Sequence, residues 1–525
     1  MSRRRRFAAV LALALILSAS SASFACTDIM VGKGASTDGS VITSHTADGY
    51  YDTRLRIVPR QQFAPGTMTP VWEWIIEGDR HPLKKLGEIP QVAETYQYIN
   101  TGYPFMNEHQ VIIGETTLGG RKETANSEKA IMTIEQLEVY ALQRAKTARE
   151  AIRVIGDLAV KYGYRESCAL GECLTISDPN EVWVFEVFGA GPFWSPESGK
   201  PGAVWAAQRV PDDHIACVPN MSRIAEIRPG APDQMVCDNY LETAEDLGLY
   251  DPKSGEPFVW NHVFGDAHNS LTGMGSRYRL WRVHSTFAPS VKWDPMDAPD
   301  YPFSIAPEAK VSAQDVMKLF RDTYRGTQYD MTEERAWQAK GDKGWQKSPM
   351  ATPQVDSTWR GLLDIDFYRP IARYYCSYFF VSQARSWLPD EIGGVAWFGL
   401  DNPEMSVFVP VYSGQTEVPP SWANVDRTKL DWNSAWWAFA LVDDSVNRRY
   451  QSLMPKLEAV RDLLQQKFYD KQGEVEKRAL ELYKSDPKAA LKVVSDYSQA
   501  CMLESQQVYR GLVDQFLFEL NNNWY

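Results

Sequence analysis

The sequence predicts an α+β fold, in which helices cover a sheet, for a chain of 525 residues. Short apolar runs typical of buried strands occur near both ends of the chain, and segments with one apolar face lie between and after them. Several strand segments are apolar at successive positions, so they need cover on both faces. A composition of 44% hydrophobic and 12% aromatic residues excludes a disordered chain.

The first 25 residues have the order of a secretory signal peptide. A cationic block at residues 3–6 precedes an apolar run at 7–17 and a stretch of mostly small residues at 18–25. The apolar run is too short to span a bilayer as a helix. Ser23 and Ala25 predict cleavage before Cys26, and therefore a secreted or periplasmic protein. A lipoprotein also begins with cysteine, so a lipid anchor on Cys26 stays an alternative.

Strand patterns begin directly after this cleavage point. Residues 28–31 and 40–43 are predicted to pair through Thr37-Asp38-Gly39, because Asp-Gly suits turns that need positive φ. Further strands are predicted at residues 111–113, 181–187, 203–209, 394–398 and 406–411.

Helices are predicted where apolar residues recur every three or four positions, at 133–158 and 311–324. A third apolar stripe runs from Leu453 to Phe468. Ser485-Asp486-Pro487 then has the pattern of an N-cap with proline in the first turn, and it predicts a last helix towards Leu520. We expect residues 441–525 to pack as a helical segment on the domain formed by residues 26–440.

Charge and cysteine spacing exclude several kinds of partner. The net charge is −12, so no basic field is available for nucleic acid. After residue 25 no apolar run is long enough for a membrane span. The nearest cysteines, Cys168 and Cys173, lack zinc-site spacing, and we expect no metal or cofactor. Apart from Cys26 the chain has an even number of cysteines, which an oxidising compartment could pair or leave reduced.

Cys26 has unusual chemistry if cleavage occurs before it. The new α-amine has a reference pKa of about 7.7–8.0 and the thiol one of about 8.5. The amine can take the thiol's proton directly or through one water, so one residue supplies both nucleophile and general base. The residue alone is also consistent with a disulfide partner or a lipid anchor.

Several blocks, in order along the chain, resemble one enzyme family. They are residues 26–33, 35–40, 106–111, 171–172, 176–183, 208–213, 219–220, 279–283 and 385–390. This set is similar to the dipeptidase A and secernin family of N-terminal-nucleophile (Ntn) cysteine hydrolases, from Cys26 to about Tyr412. The resemblance implies a four-layer αββα sandwich, here with a C-terminal helical extension, and hydrolysis of dipeptides without a metal.

The resemblance also implies the site residues. Cys26 is the nucleophile, and Asp48 holds its α-amine by a hydrogen bond. Asn107 is similar to the oxyanion-hole residue, whose side chain would face the developing negative charge. Asn220 matches an asparagine that contacts the amine or the tetrahedral intermediate, and Arg279 resembles the arginine that supports the nucleophile.

One position departs from the family pattern and two other functions stay open. His45 stands where the family commonly has arginine, and a neutral imidazole cannot hold a thiolate as a permanent cation does. We expect an exported dipeptidase that acts through a thioester and is either a monomer or a homo-oligomer. The alternatives are an amidase of the penicillin V acylase or bile salt hydrolase type and a lipid-anchored binding protein.

Overall fold

The computed structural model describes residues 26–78, 80–165, 170–267, 271–342 and 344–522. The predicted signal peptide and Cys168 lie outside the described residues. The strands are β1 (Asp28–Val31), β2 (Val41–Asp48), β3 (Arg56–Val58), β4 (Gln61–Gln62), β5 (Met68–Glu73), β6 (Lys84–Pro90), β7 (Glu94–Thr95), β8 (Tyr98–Asn100), β9 (Pro104–Asn107), β10 (Ile112–Leu118), β11 (Met132–Thr133), β12 (Tyr164–Arg165), β13 (Gly171–Ser177), β14 (Val182–Gly189), β15 (Ala203–Arg209), β16 (Ile215–Val218), β17 (Gln234–Val236), β18 (Gln338–Gly341), β19 (Gly344–Lys347), β20 (Cys376–Ala384), β21 (Val395–Leu400) and β22 (Val409–Tyr412).

The α-helices are α1 (Ile134–Arg144), α2 (Ala148–Tyr162), α3 (Tyr240–Asp246), α4 (Trp260–Val263), α5 (Met274–Phe287), α6 (Ala313–Phe320), α7 (Ser357–Leu363), α8 (Asp390–Gly393), α9 (Pro420–Ala423), α10 (Ala435–Arg448), α11 (Tyr450–Tyr483) and α12 (Pro487–Asn522). Short 3-10 helices occupy Ile75–Glu77, Lys122–Thr124, Pro196–Ser198, Pro295–Asp300, Met331–Glu333 and Arg335–Trp337.

Two large antiparallel sheets form the centre of the molecule. One has the order β16-β1-β2-β20-β21-β22, and the other β17-β15-β14-β13-β10-β9-β8-β3. The two sheets contact each other, with β2 packed against β10 and β13. At Gly114 in β10 they approach closely, because an added Cβ would lie 2.6 Å from Oδ2 of Asp28 on the facing sheet. A side chain there would force the sheets apart.

Helices cover the outer sides of both sheets. Helix α2 contacts β13, β14 and β15 of the eight-stranded sheet, while α11 and α12 pair with each other and contact β22 of the six-stranded sheet. The order of layers in the described chain is therefore helices, sheet, sheet, helices. The continuous core contains residues from Ile29 to Phe516, so the C-terminal helices bury their apolar faces in the same core as β1.

The predicted strands and C-terminal helices match observed elements, with shifts at their ends. Strands β1 and β2 pair antiparallel as predicted, and Gly39 has the expected positive φ of 86°. Their connection runs from residue 32 to 40, longer than a tight hairpin, because Ser36 in this loop bridges to Val311. Among the described residues, no helix combines the length and apolarity needed to cross a membrane.

The helix predicted at residues 133–158 is wrong in one respect, since the structure divides it into α1 and α2. The Thr147 side chain caps α2 by accepting a hydrogen bond from the Glu150 backbone N–H. In addition, the backbone N–H of Ala148 donates to Oδ2 of Asp178 at 2.9 Å. A threonine followed three residues later by glutamate is a helix-start signal, and it outweighs the continuous apolar stripe.

The C-terminal helices are also tied to the six-stranded sheet by polar contacts. The guanidinium of Arg385 forms two hydrogen bonds of 2.9 Å each with the Glu476 carboxylate of α11. The Tyr412 hydroxyl at the end of β22 donates to the same carboxylate at 2.9 Å. Because paired donors satisfy this partly exposed carboxylate, they help to fix the position of the helix against the sheet.

Candidate active site

Cys26 lies just before β1, and its side chain is fully buried. The nearest polar partner of its thiol is Glu115 in β10, with Sγ 3.6 Å from Oε2. Burial raises the pKa of the Cys26 thiol well above its usual value, and the carboxylates of Glu115, Asp48 and Asp28 add to this, although a backbone hydrogen bond from Asp48 acts in the opposite direction. A neutral thiol is therefore favoured while Cys26 has a peptide bond on its N-terminal side.

Arg279 holds the backbone of Cys26 from helix α5. Its Nη1 donates to the Cys26 carbonyl at 2.5 Å and to the Thr27 hydroxyl at 2.8 Å. Its Nη2 donates to the Pro219 carbonyl at 2.8 Å and to Oδ1 of Asn220 at 3.0 Å. Burial and the neighbouring charge of Arg369 together lower the pKa of Arg279 to about 9. The predicted supporting arginine thus joins two other predicted site residues.

Asn220 is positioned by an unusual backbone conformation as well as by Arg279. Its φ of 59° lies in the left-handed region, which asparagine tolerates better than most residues. The side-chain amide Nδ2 donates to the Thr116 hydroxyl at 3.0 Å and to the Thr117 carbonyl at 2.9 Å. These contacts tie Asn220 to the two residues of β10 that directly follow Glu115, whose carboxylate meets the thiol.

Asp48 ends β2 at a β-bulge opposite Cys376. Its carboxylate is fully buried, and Oδ2 accepts a hydrogen bond of 2.6 Å from Nη2 of Arg369. The other oxygen, Oδ1, accepts no hydrogen bond from any described residue. Burial raises the pKa of the Asp48 carboxyl, although Arg369 and Arg279 act against this. A buried carboxylate oxygen without a donor is costly, and functional sites are where such atoms are retained.

Asn107 ends β9, and in this structure its side chain is directed to the end of α1, so its expected role in the oxyanion hole stays a prediction. Both donors of its side-chain amide are used, because Nδ2 lies 2.9 Å from the Leu142 carbonyl and 2.8 Å from the Ala145 carbonyl. Its Oδ1 accepts hydrogen bonds from the backbone N–H groups of His109 and Val111, each at 3.0 Å. The residue satisfies the unpaired carbonyls at the end of α1, which is a structural role.

His45 lies beside Cys26 and forms part of a buried polar cluster between the sheets. Its Nδ1 is 3.1 Å from Oδ1 of Asp28, whose Oδ2 accepts from the Thr175 hydroxyl at 2.8 Å. Burial raises the pKa of the Asp28 carboxyl to about 6. Burial opposes the charged form of His45, yet the hydrogen bond with Asp28 leaves the pKa of the imidazole above its usual value.

One group of described residues has the ligand types of a metal site. A ring nitrogen of His45, Sγ of Cys26 and a carboxylate oxygen of Glu115 lie within 4.8 Å of one another, and all three side chains are buried. Thiolate, imidazole and carboxylate are the ligands that zinc prefers. The His45 and Glu115 side chains can equally exchange protons with the Cys26 thiol, so the presence of these three groups alone does not assign a metal.

Sequence reasoning missed three residues that contact the site. Glu115 lies in β10, two residues beyond the apolar run at 111–113 that predicted this strand, so the pattern gave no reason to single it out. Arg369 precedes β20 and reaches Asp48 from 321 positions away in the chain. Asp28 was within a recognised block, but its pairing with His45 depends on the register of β1 against β2. The one available signal was the presence of charged residues inside otherwise apolar strands.

Of the six described cysteines, none forms a disulfide with another, and all are buried. They are Cys26, Cys173, Cys217, Cys237, Cys376 and Cys501. Burial raises the pKa of Cys173 well above its usual value and that of Cys217 to about 12. Buried structural thiols such as those of Cys173 and Cys217 are unreactive.

Comparison with known proteins identifies relatives over most of the chain. The profile of "Peptidase family C69" matches residues 25–462. A "Probable dipeptidase" from Latilactobacillus sakei is 24% identical over 458 residues, covering 80% of this chain and 81% of the relative. A "Probable dipeptidase" from Salmonella dublin is 24% identical over 78% of this chain and 86% of its own length. "Dipeptidase A" from Lactobacillus helveticus is 23% identical over 78% of this chain and 80% of its own.

Proposed function

Because this chain belongs to peptidase family C69, and is therefore a cysteine-type peptidase, we propose that it hydrolyses dipeptides with Cys26 as the nucleophile. The relatives named as dipeptidases support the substrate class. We further propose that residues 1–25 are removed on export, which makes Cys26 the first residue and frees its α-amine. The order of layers, helices, sheet, sheet, helices, supports an Ntn-hydrolase fold.

The observation that carries this proposal is the free oxygen of Asp48. Oδ1 is buried near Cys26 and has no donor among the described residues. An α-ammonium on the mature Cys26 would supply the missing donor and add a positive charge to that of Arg369. A charge-assisted hydrogen bond of this kind is stronger than a neutral one. Asp48 would therefore hold the amine in place and keep it close to the thiol.

The chemistry then follows in two steps. The α-amine takes the proton of the Cys26 thiol, and the thiolate attacks the carbonyl carbon of the peptide bond. As the C–N bond breaks, the ammonium returns its proton to the leaving amine, and a thioester remains. Water attacks the thioester after losing a proton to the amine, and the released thiolate takes that proton back. The thiol and the amine of Cys26 are regenerated, and one water molecule is used for each peptide bond hydrolysed.

Arg279 contributes by fixing the backbone of the nucleophile. Because its guanidinium holds the carbonyl of Cys26 and the side chain of Asn220, the thiol, the amine and Asn220 keep a constant geometry. A misplacement of about 1 Å can cost roughly 100-fold in rate. We therefore assign Arg279 as a positioning residue.

The decisive experiment determines the N-terminus and the substrate together. N-terminal sequencing and intact mass of the secreted protein should give Cys26 as the first residue without added acyl mass. The same protein should hydrolyse members of a dipeptide panel, and Cys26→Ala should be folded and inactive. Turnover confined to acyl amides, such as a penicillin or a bile salt, would reject the dipeptidase. An acylated Cys26 would reject the nucleophile role.

A variant that keeps one residue before Cys26 tests the amine separately. It retains the thiol and every described contact of Arg279, but its Cys26 nitrogen is an amide without basicity. We expect a folded protein with activity at the level of Cys26→Ala. Full activity in this variant would show that another group is the base.

A further inference from the structure

Arg373 carries a buried positive charge with unused hydrogen-bond donors. Its side chain is only 2% exposed, and neither Nε nor Nη1 has a hydrogen-bond partner in the described chain. No described carboxylate forms an ion pair with it, although such pairs are frequent elsewhere in the chain. A buried charge without a hydrogen-bonded partner is strongly disfavoured unless a partner arrives later.

Aromatic rings surround this guanidinium without satisfying its N–H groups. The Cζ atom of Arg373 lies 4.6 Å from the ring centre of Tyr375, 5.0 Å from that of Phe367 and 5.1 Å from that of Tyr374. Ring faces attract the cation and allow it to be buried. They accept no strong hydrogen bond, so the planar fork of donors stays available for an anion.

Arg373 lies on the segment that carries the partners of Asp48. Four residues earlier, Arg369 donates to the Asp48 carboxylate, and two residues later, the Tyr375 carbonyl accepts from the backbone N–H of Gly49 at 3.1 Å. Burial opposes ionisation of the Tyr375 phenol, yet Arg369 and Arg373 hold its pKa below the usual value. Arg373 is also one of the charges that lower the pKa of Asp48.

The other two arginines of this region already have partners. Arg279 donates to the Cys26 and Pro219 carbonyls and to the side chain of Asn220, and Arg369 donates to Asp48. Arg373 is therefore the cation left for a ligand. The ligand it fits is a carboxylate, because Nη2 together with either unused nitrogen, Nε or Nη1, presents two parallel N–H donors that match two carboxylate oxygens.

We propose that Arg373 binds the C-terminal carboxylate of the substrate. This inference rests on the dipeptidase function proposed above. It adds a reason why the substrate would be a dipeptide. In a dipeptide the free carboxylate is one residue from the scissile bond, whereas in a longer peptide that position holds a neutral amide. A buried cation without any other partner would discriminate between the two.

The test compares a dipeptide with its own C-terminal carboxamide in the mature, full-length protein. The dipeptide is the one that the wild-type protein hydrolyses fastest in a panel, and release of its N-terminal amino acid is measured. We expect Arg373→Gln to reduce kcat/KM for the dipeptide about 10- to 100-fold, mainly through KM, and to leave the carboxamide almost unchanged. Because an unpaired buried charge is removed, Tm should stay the same or rise.

Two further variants make the outcome decisive. Arg360→Gln is the matched control, since Arg360 packs on the same Phe367 ring at 3.7 Å and should keep the wild-type preference. Arg373→Lys keeps a cation and the aromatic contacts but lacks the forked donors. It should therefore lose part of the preference for the dipeptide over its carboxamide, at unchanged Tm. This variant keeps the test valid if Arg373→Gln does not fold.

The results also separate this inference from the proposed function. If Arg373→Gln, or Arg373→Lys where the former does not fold, keeps the preference for the free carboxylate, the inference is wrong. The inference is also wrong if Tm falls and kcat/KM drops equally for the dipeptide and its carboxamide, because that result indicates a packing role for Arg373. A wild-type protein that hydrolyses the dipeptide and its carboxamide equally well overturns the inference alone. A wild-type protein without dipeptide turnover overturns the proposed function.

Discussion

Nη1 of Arg279 lies 2.5 Å from the carbonyl oxygen of Cys26, and the guanidinium is 1% exposed. This contact links helix α5 to the residue just before β1, 253 positions earlier in the chain. A buried guanidinium that donates to several carbonyl and side-chain oxygens fixes the backbone on which the thiol stands. The nucleophile is therefore positioned by a helix from the middle of the chain.

Arg279→Lys should reduce activity while keeping the charge. An ammonium cannot make the forked contacts to Cys26 and Asn220 at the same time, and the unsatisfied buried oxygens cost about 1–3 kcal/mol of stability. We expect kcat to fall about 100-fold with little change in KM. Steady-state kinetics and thermal unfolding measure both effects. Wild-type kcat in this variant would remove the positioning role.

Asp48→Asn tests the carboxylate next to the proposed amine. The amide keeps the shape of Asp48 but lacks the negative charge that favours an ammonium, so the pKa of the amine should fall. We expect kcat/KM to drop about 100-fold and the acid limb of its pH profile to move to lower pH. An unchanged acid limb would contradict the pairing.

The control for this variant is Asp401→Asn. Asp401 is likewise a buried carboxyl group with an oxygen that has no described partner, and burial raises its pKa to about 7. It adopts φ of 65°, which asparagine tolerates. Because no contact joins it to Cys26 in the described structure, activity should remain at the wild-type level.

The pair formed by Asp28 and His45 predicts how stability depends on pH. Burial raises the pKa of Asp28 from 3.8 to about 6, and the hydrogen bond with Asp28 raises that of His45. Both shifts mean that the folded state binds more protons than the unfolded state. Their contribution to stability is therefore present at low pH; the part from Asp28 is lost as pH rises from about 4 to about 6, and the part from His45 is lost above its ordinary pKa of 6.5.

Asp28→Asn should flatten this dependence. Glu115 and Thr175 also face the pair, and neither residue is altered by the substitution. We expect the free energy of unfolding, relative to that of the wild type, to increase steadily between pH 4 and 7 in urea titrations. A constant difference over this range would show that the pair does not take up protons on folding.

Much of the site could be predicted from the sequence because its signals are local. Cys26 stands at a cleavage pattern, and the pairing of β1 with β2 follows from apolar strands around Asp38-Gly39. Arg279 and Asn220 lie in short recognisable blocks, and the structure brings them together. A sequence block transfers a residue's identity but not the direction of its side chain, so it could not show that the Asn107 amide points to the end of α1.

The residues that sequence reasoning missed depend on contacts between distant segments. Glu115, in one sheet, contacts Cys26 beside the facing sheet. Arg369 and Arg373 come from an irregular segment without apolar periodicity. The division between α1 and α2 was missed for a different reason. The apolar stripe continues through the break and masks the Thr147 cap within the segment, while the other capping contacts involve Asp178 and Asn107, which lie outside it.

Packing between α2 and the eight-stranded sheet can be tested at Gly156. A Cβ at this position would lie 2.4 Å from the Trp205 ring, so Gly156→Ala should destabilise the protein by about 1–3 kcal/mol. Gly473 in α11 is the control, since nothing lies within 4 Å of its Cβ position. Gly473→Ala should stabilise the protein by about 0.5–1 kcal/mol. Thermal unfolding measures both, and equal shifts would contradict the close approach.

The two carboxylates next to Cys26 allow a prediction of how removal of residues 1–25 changes the pKa of the Cys26 thiol. With a peptide bond before it, the thiol faces Glu115 and Asp48, and burial together with these charges raises its pKa well above the usual value. Cleavage adds a positive α-ammonium, which stabilises the thiolate. The thiolate is the form that reacts with alkylating agents.

Iodoacetamide labelling of Cys26 should therefore reach its half-maximal rate at a lower pH in the mature protein than in the variant with one extra N-terminal residue. The rate is followed by mass spectrometry of the peptide that contains Cys26, which separates it from the other buried cysteines. Within the extended variant, Glu115→Gln should move the profile to lower pH, because it removes the charge nearest to the sulfur at 3.6 Å. Identical profiles for the mature and extended proteins would mean that the amine does not act on the thiol.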